Sequence, residues 1–355
     1  MKILGKYVVR YLLESWLLSG AILGVLLFLV RLIDELERIT QSYRPLEVVF
    51  YVALTLPQQL ISLVPVILLV GSLTAFARLS QSNELTIVRG SGITRHKFLG
   101  LMAPLLLVVA GLLWGAMEWV TAPMYQLGEE IRNEARGQNS LAAGEDLWSR
   151  SGNTFIRLGR LYKGNQPGDI DIFRFAEDNQ LEEAIHAGRA EVVKGRRWRL
   201  LDVQVIDNTH SPMGRDSRKT LEVDGLWSEG ELSQLLLSLN SMSPSVIYQH
   251  VQYLERNGLR SLQYRLAFWD RMLMPLTAMA MVVMALGLSS GPASQRAGLG
   301  RQLGVGMLAG VVFYLGSQIT LALGQVLELP PLAVALFPLG SILVLAWFFY
   351  SRLNW

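Results

Sequence analysis

The chain has 355 residues, 51% of them apolar and only 17% charged, with a mean hydropathy of +0.32. A soluble domain carries about 25% charge, so this composition excludes a disordered chain, a collagen or coiled-coil rod and a wholly soluble fold. A formal net charge of +3 is too small to argue for nucleic acid, and the absence of cysteine excludes disulfides, thiolate nucleophiles, iron–sulfur clusters and cysteine zinc sites.

In chain order, Lys2, Lys6 and Arg10 precede the uncharged run Ser15–Val30. A basic start before an apolar run is how a signal peptide opens. This run has no A-x-A-like site and five more runs follow, so it reads as a retained first span. The others are Val48–Ala77, Phe98–Met117, Met272–Gln295, Leu303–Leu327 and Leu329–Ser351. About 20 apolar residues suffice to cross, because a helix rises about 1.5 Å per residue through about 30 Å of hydrocarbon. The expectation is six transmembrane helices.

Arg31 closes the first run and is followed by Asp34, Glu35, Glu37 and Arg38 at helical spacing. Two readings stand. The arginine snorkels and pairs with an acid three or four residues on, or it faces a cavity and grips an anionic lipid headgroup. Local spacing alone favours the first. Pro57 and Pro65 in span two, and Pro275 in span four, either kink helices around a cavity or are tolerated bends.

Between spans two and three runs RLSQSNELTIVRGSGITRHK, residues 78–97. Its first half predicts a short helix capped by Ser82 or Asn83, with Leu85, Ile87 and Val88 apolar, broken at Arg89-Gly90-Ser91-Gly92. Such an amphipathic stretch either docks a cytoplasmic partner or packs on its own protein. Glu84 is its lone carboxylate among basic residues, placed to pair with a partner's arginine.

The long insertion, 118–271, carries 19 basic and 22 acidic residues, net −3, against +6 for the remainder. It opens on the polar stretch Glu118–Arg136, helix or linker. Strand patterns then follow at Thr154–Leu158, Asp169–Ile172, Ala190–Val193, Trp198–Ile206 and Thr220–Leu226, punctuated by glycine and proline turns. The pattern is all-β, a sandwich or jellyroll-like system. Alternation makes Phe155, Ile170, Trp198 and Val203 core residues, or the wall of an end left open to apolar material. Met242-Ser-Pro-Ser-Val breaks the chain and starts a helix through Arg256. In span five, Gly300, Gly304, Gly306, Gly310 and Gly316 permit close helix contact.

The basic residues flanking the spans fall on alternate connections, ten on one side, which puts both termini in the cytoplasm and the insertion outside. Three parts result: 1–117 with spans one to three and the 78–97 connection, 118–271 with the all-β domain and connecting helices, and 272–355 with spans four to six. No P-loop, H-E-x-x-H or G-x-S-x-G occurs, and His96, His186, His210 and His250 are scattered without metal-ligand spacing. Nucleotide hydrolysis by this chain is therefore not expected. A transport subunit, a membrane enzyme acting on envelope lipid or glycan, and an assembly scaffold remain as rival functions.

Four strings carry a resemblance: RLSQSNELTIVRGSG (78–92), EWVTAPMYQLGEE (118–130), LWSRSGNTFIRL (147–158) and YRLAFWDRMLMP (264–275). Over essentially its whole length the chain resembles the LptF/LptG permease family of the bacterial lipopolysaccharide export ABC transporter. The third string, with LVRLIDEL around Arg31, is nearer the G-type than the F-type subunit. The resemblance implies a non-catalytic permease of the inner membrane with a periplasmic jellyroll-like domain. Its implied partners are an F-type sister, a dimeric cytoplasmic ATPase that uses ATP and magnesium, a single-span C-type subunit and a periplasmic bridge protein. The implied cargo is lipopolysaccharide, and this chain itself needs no cofactor. Glu84, with Arg78, Leu85 and Arg89, would couple to the ATPase. Arg31 and Arg38 would meet substrate phosphates, and Phe155, Ile156, Ile170 and Ile172 would line the path for acyl chains.

Overall fold

Among the described residues, six helices are long and apolar enough to cross a membrane. The computed structural model describes residues 2–40, 43–82, 90, 92–136, 147–162, 166–176, 178, 180–192, 197–207, 214–224, 237–289 and 299–351. Helix α1 spans Lys2–Leu36 and α2 spans Pro45–Gln81. Helix α3, Arg95–Ala116, is capped by the Thr94 side chain and runs through a π-helical turn, Met117–Thr121, into α4, Ala122–Arg136. After the insertion come α5, Pro244–Arg256, then α6, Leu262–Ser289, α7, Leu299–Val326, and α8, Pro331–Ser351. Ser243 caps α5 and Pro244 sits in its first turn, the start that Met242-Ser-Pro-Ser-Val predicts.

The chain forms two compact units. One comprises Met1–Glu35, Val52–Tyr125 and Leu262–Trp355, the other Leu36–Tyr51 and Gln126–Ser261. These bounds differ from the compositional ones at 117/118 and 271/272. The polar residues from Glu118 onward continue an unbroken helix, so the change in composition is not a break in structure.

In the first unit α2 and α6 are the buried helices, while α1, α3, α7 and α8 leave most of their apolar side chains exposed or only partly buried. Water would penalise that heavily, but hydrocarbon does not. Helices are also the form in which a chain satisfies its own backbone there. Leu12, Leu69, Phe76, Phe98, Met102, Met281 and Leu286 make the bundle core. Pro57, Pro65 and Pro275 lie inside continuous helices. Close approach is set by glycine. A Cβ on Gly71 would lie 2.7 Å from Trp16 Cδ1 and 2.9 Å from the Ser15 carbonyl. Beside this contact Trp16 Nε1 donates to Ser72 Oγ at 2.8 Å in a buried position. Of the span-five glycines, Gly306 and Gly310 meet Leu73 and Val66, whereas Gly300, Gly304 and Gly316 face open space.

The second unit holds a six-stranded antiparallel sheet in sequential order. Its strands are β1 Leu147–Ser151, β2 Thr154–Tyr162, β3 Gln166–Phe175, β4 Leu181–Val192, β5 Trp198–Asp207 and β6 Gly214–Val223. The expected inserted all-β domain is present. Strand β1, β4 before Ala190 and β6 before Thr220 are not marked in the sequence, because none of these stretches alternates cleanly. Register aligns Ile156, Ile172, Ile185 and Val205 in one row and Leu158, Ile170, Ala187 and Val203 in the next. All eight are buried and share one core with Ala190, Trp198, Leu200 and Val223. Each such side chain contributes about 1.5–3 kcal/mol by leaving water.

Gly71→Val should strain the α1–α2 contact and destabilise the detergent-solubilised chain by about 1–3 kcal/mol. Gly304→Val, into open space, should leave it unchanged, and thermal melting followed by size-exclusion chromatography compares the two.

Candidate functional site

Helix α2 carries the dipeptide Gln58-Gln59 just after Pro57, and each amide reaches a different neighbouring helix. Arg31 Nε donates to Gln59 Oε1 at 2.9 Å. Thr121 Oγ1, in the π-turn, donates to Gln58 Oε1 at 2.7 Å. The arginine is exposed, and its hydrogen bond goes to a neutral amide, not to Asp34 or Glu35 one turn on. The snorkel-and-pair reading thus loses its acid. Gln59 orients the guanidinium without cancelling its charge. Sequence reasoning missed both glutamines, which sit unmarked inside an uncharged run.

In the second unit, Arg38 is exposed in the turn after α1. Helix α4 presents Glu129, Arg132 and Arg136 to tyrosines of the segment 36–51. The Arg132 guanidinium lies 4.8 Å from the Tyr51 ring centroid and Arg136 lies 5.0 Å from that of Tyr43. Tyr51 OH donates to Glu129 Oε1 at 3.1 Å, and Arg132 Nη1 donates to Tyr51 OH at 3.2 Å. Arg132 Nη1 also lies 3.7 Å from Glu129 Oε1, so this arginine is tied to its own unit by an aromatic face, a phenol and a carboxylate. The i,i+4 spacing of the two arginines was visible in the sequence, but the tyrosines that hold them are more than 80 residues away.

The sheet separates the four proposed wall residues. Ile156, Ile170 and Ile172 are fully buried on the inner face. Phe155 is on the opposite face, half-buried, its ring 5.4 Å from Phe175 in an edge-to-face contact. Strand periodicity of two requires this, since 155 and 156 cannot share a face. The outer face also assembles a cluster that no local spacing revealed. Asp171 Oδ1 is 2.6 Å from His186 Nδ1 while its other oxygen accepts from Arg157 Nη1. Register places Arg157, Asp171 and His186 side by side on β2, β3 and β4. Both carboxylate oxygens are thus engaged in a cross-strand clamp, which suits joining strands and not accepting a proton from substrate. Among the described residues, no group of three or more histidines and acids could hold a metal.

Arg78 is exposed in the last turn of α2. Glu84, Leu85 and Arg89 lie outside the described residues. His96, exposed as expected, is 3.0 Å through Nδ1 from Tyr350 OH and so ties the start of α3 to the end of α8. His250, buried in α5, has its pKa lowered by desolvation.

A family model described as the lipopolysaccharide export system permease LptF/LptG matches residues 6–352. A relative from Escherichia coli (strain K12), named lipopolysaccharide export system permease protein LptG, is 26% identical over 357 residues, covering 99% of this chain and 98% of the relative. One of the same name from Haemophilus influenzae is 26% identical over 359 residues, covering 97% and 98%.

Because folding depresses the His250 pKa, the unfolded chain takes up a proton that the folded chain refuses. Stability should therefore fall as pH drops through about 6.5, the ordinary histidine value. His250→Phe should flatten that part of the stability profile, read by denaturant titration of the purified chain between pH 5 and 8.

Proposed function

Since the chain belongs to the LptF/LptG family of lipopolysaccharide export system permeases, we propose that it is the G-type subunit of an ATP-driven exporter. In this role it takes lipopolysaccharide from the outer leaflet of the inner membrane and passes it through its β domain toward the outer membrane. It works with an F-type sister permease, a dimeric cytoplasmic ATPase, a single-span C-type subunit and a periplasmic bridge protein. ATP and magnesium belong to the ATPase, and this chain binds no cofactor. Both termini are cytoplasmic and the β domain is periplasmic.

The observation that carries the proposal is the Arg31–Gln59 hydrogen bond. An arginine at a span's end reaches the interface at little cost, where it can meet lipid phosphates. Here a neutral amide orients the cation and keeps its full charge for the phosphates of an anionic lipid. Arg38 adds an exposed cation in the second unit. The acyl chains need a different surface. Each methylene moved from lipid to water costs about 0.8 kcal/mol, so extraction requires both a motor and an apolar shelter. Ile156, Ile170 and Ile172 supply an apolar face of the kind required. Coupling falls to the 78–97 connection, where Glu84 pairs with the ATPase and Arg78, Leu85 and Arg89 support the contact.

Arg31→Glu should lower photocrosslinking to lipopolysaccharide several-fold in the assembled complex, and Gln59→Glu should do so in part by neutralising the arginine. Equal crosslinking in all three proteins would remove Arg31 from the substrate site. Glu84→Ala should weaken recovery of the ATPase in pull-downs while membrane insertion stays normal. Undiminished recovery together with undiminished coupled transport would refute the coupling role.

A further inference from the structure

One row crosses the sheet with unlike backbone geometry. Gly159 on β2, Asp169 on β3, Gly188 on β4 and Asp202 on β5 stand opposite one another, because strand register is the same on both sides of the row. At this row, and only there within the continuous register, paired residues are missing between β2 and β3, β3 and β4, β4 and β5, and β5 and β6. Asp169 and Asp202 are left-handed, at φ 54° and 55°. That conformation turns a strand sharply, and a short polar side chain tolerates it better than most. The glycines make room for them. A Cβ on Gly159 would lie 2.9 Å from Asp169 Oδ2, and one on Gly188 would lie 3.6 Å from Asp202 Cβ.

The turn has a consequence for side chains. On β5, Trp198 and Leu200 are buried before the row and Val203 and Val205 after it, so the inward parity inverts at the aspartate. On β4 it inverts between Ala187 and Ala190. One sheet is thereby folded across its strands, and the apolar residues of both halves form a single core.

We infer that this row is a fold line on which the two halves of the sheet part to admit an apolar chain. The inference rests on the proposed passage of acyl chains through this domain. Ile156, Ile170, Ile172 and Trp198 have no exposed surface, so a ligand reaches that face only if the halves separate. Within the continuous register, the strands are paired without interruption on either side of the row. At this row the pairing is already interrupted, and left-handed aspartates opposite glycines adjust their backbone with least obstruction.

The chain has no cysteine, so Glu191→Cys and Gln204→Cys place the only two thiols at exposed positions on either side of the row. Spin labels there report the distance between halves in the full-length chain in phospholipid nanodiscs, with and without added rough-type lipopolysaccharide. A photoreactive residue at Leu221, half-buried at the core's edge, reports entry of the lipid. The expected result is crosslinking at Leu221 together with a second, displaced distance peak on adding lipopolysaccharide. The double variant Asp169→Gly/Asp202→Gly, which keeps the left-handed positions accessible, should enlarge that displaced population at least two-fold. Crosslinking with an unchanged distance distribution would overturn the fold line and leave the proposed function standing, as would a glycine variant indistinguishable from the parent. No crosslinking at Leu221 would overturn passage through this domain, and the fold line with it.

Discussion

Hydrocarbon supplies no hydrogen bonds, and that constraint governs the membrane part of this chain. It forces the spans into helices that satisfy their own backbones, and it favours partners for the polar side chains the spans carry. Trp16 finds Ser72, Thr121 finds Gln58 and Arg31 finds Gln59. The helices that make these bonds are held close by small residues, Gly71 above all, because apolar burial gives little drive between surfaces already surrounded by lipid. The polar contacts therefore select which helix faces meet. In doing so they decide which way the Arg31 guanidinium points.

The β domain answers to the opposite solvent. A sheet in water must cover one face, and here the described strands form one sheet in simple hairpin order with no second sheet laid on it. The sheet covers itself instead. Two left-handed aspartates set against two glycines interrupt the pairing at a common row, the inward parity inverts there on β4 and β5, and both sides contribute to one core. Helix α5 adds Tyr253 at its margin. The outer face, freed from packing, carries cross-strand ionic and aromatic pairs such as Arg157–Asp171–His186 and Trp148–Phe173. A fold built this way has an apolar interior that is continuous along the strands, which is the property an acyl-chain conduit needs.

The two cationic groups illustrate how far side-chain patterns carry. Arg31 stood out because a charge at the end of an apolar run is rare. Its local acids suggested an ion pair, and a glutamine from another helix overrode them. Arg132 and Arg136 were plain residues of a polar helix until Tyr51 and Tyr43 were brought beneath them. Similarly, the histidines looked scattered along the chain, yet His186 meets Asp171 because antiparallel register joins positions 15 apart.

What the sequence determined by itself is the set of features with short-range causes. Six spans follow from run length against bilayer thickness, and the all-β insertion from alternation and turns. The family resemblance likewise follows from contiguous strings. What only the tertiary structure decided has causes distant along the chain. It settled where the polar partners of Arg31, Arg132 and Asp171 come from, and that Phe155 turns outward from the wall it was assigned to. It also showed that the strands share one fold line. A left-handed aspartate has no signature of its own in a strand pattern. Its meaning appears only when register sets Asp169 between Gly159 and Gly188, and Asp202 beyond, so that the pairing of four strands is interrupted at one place.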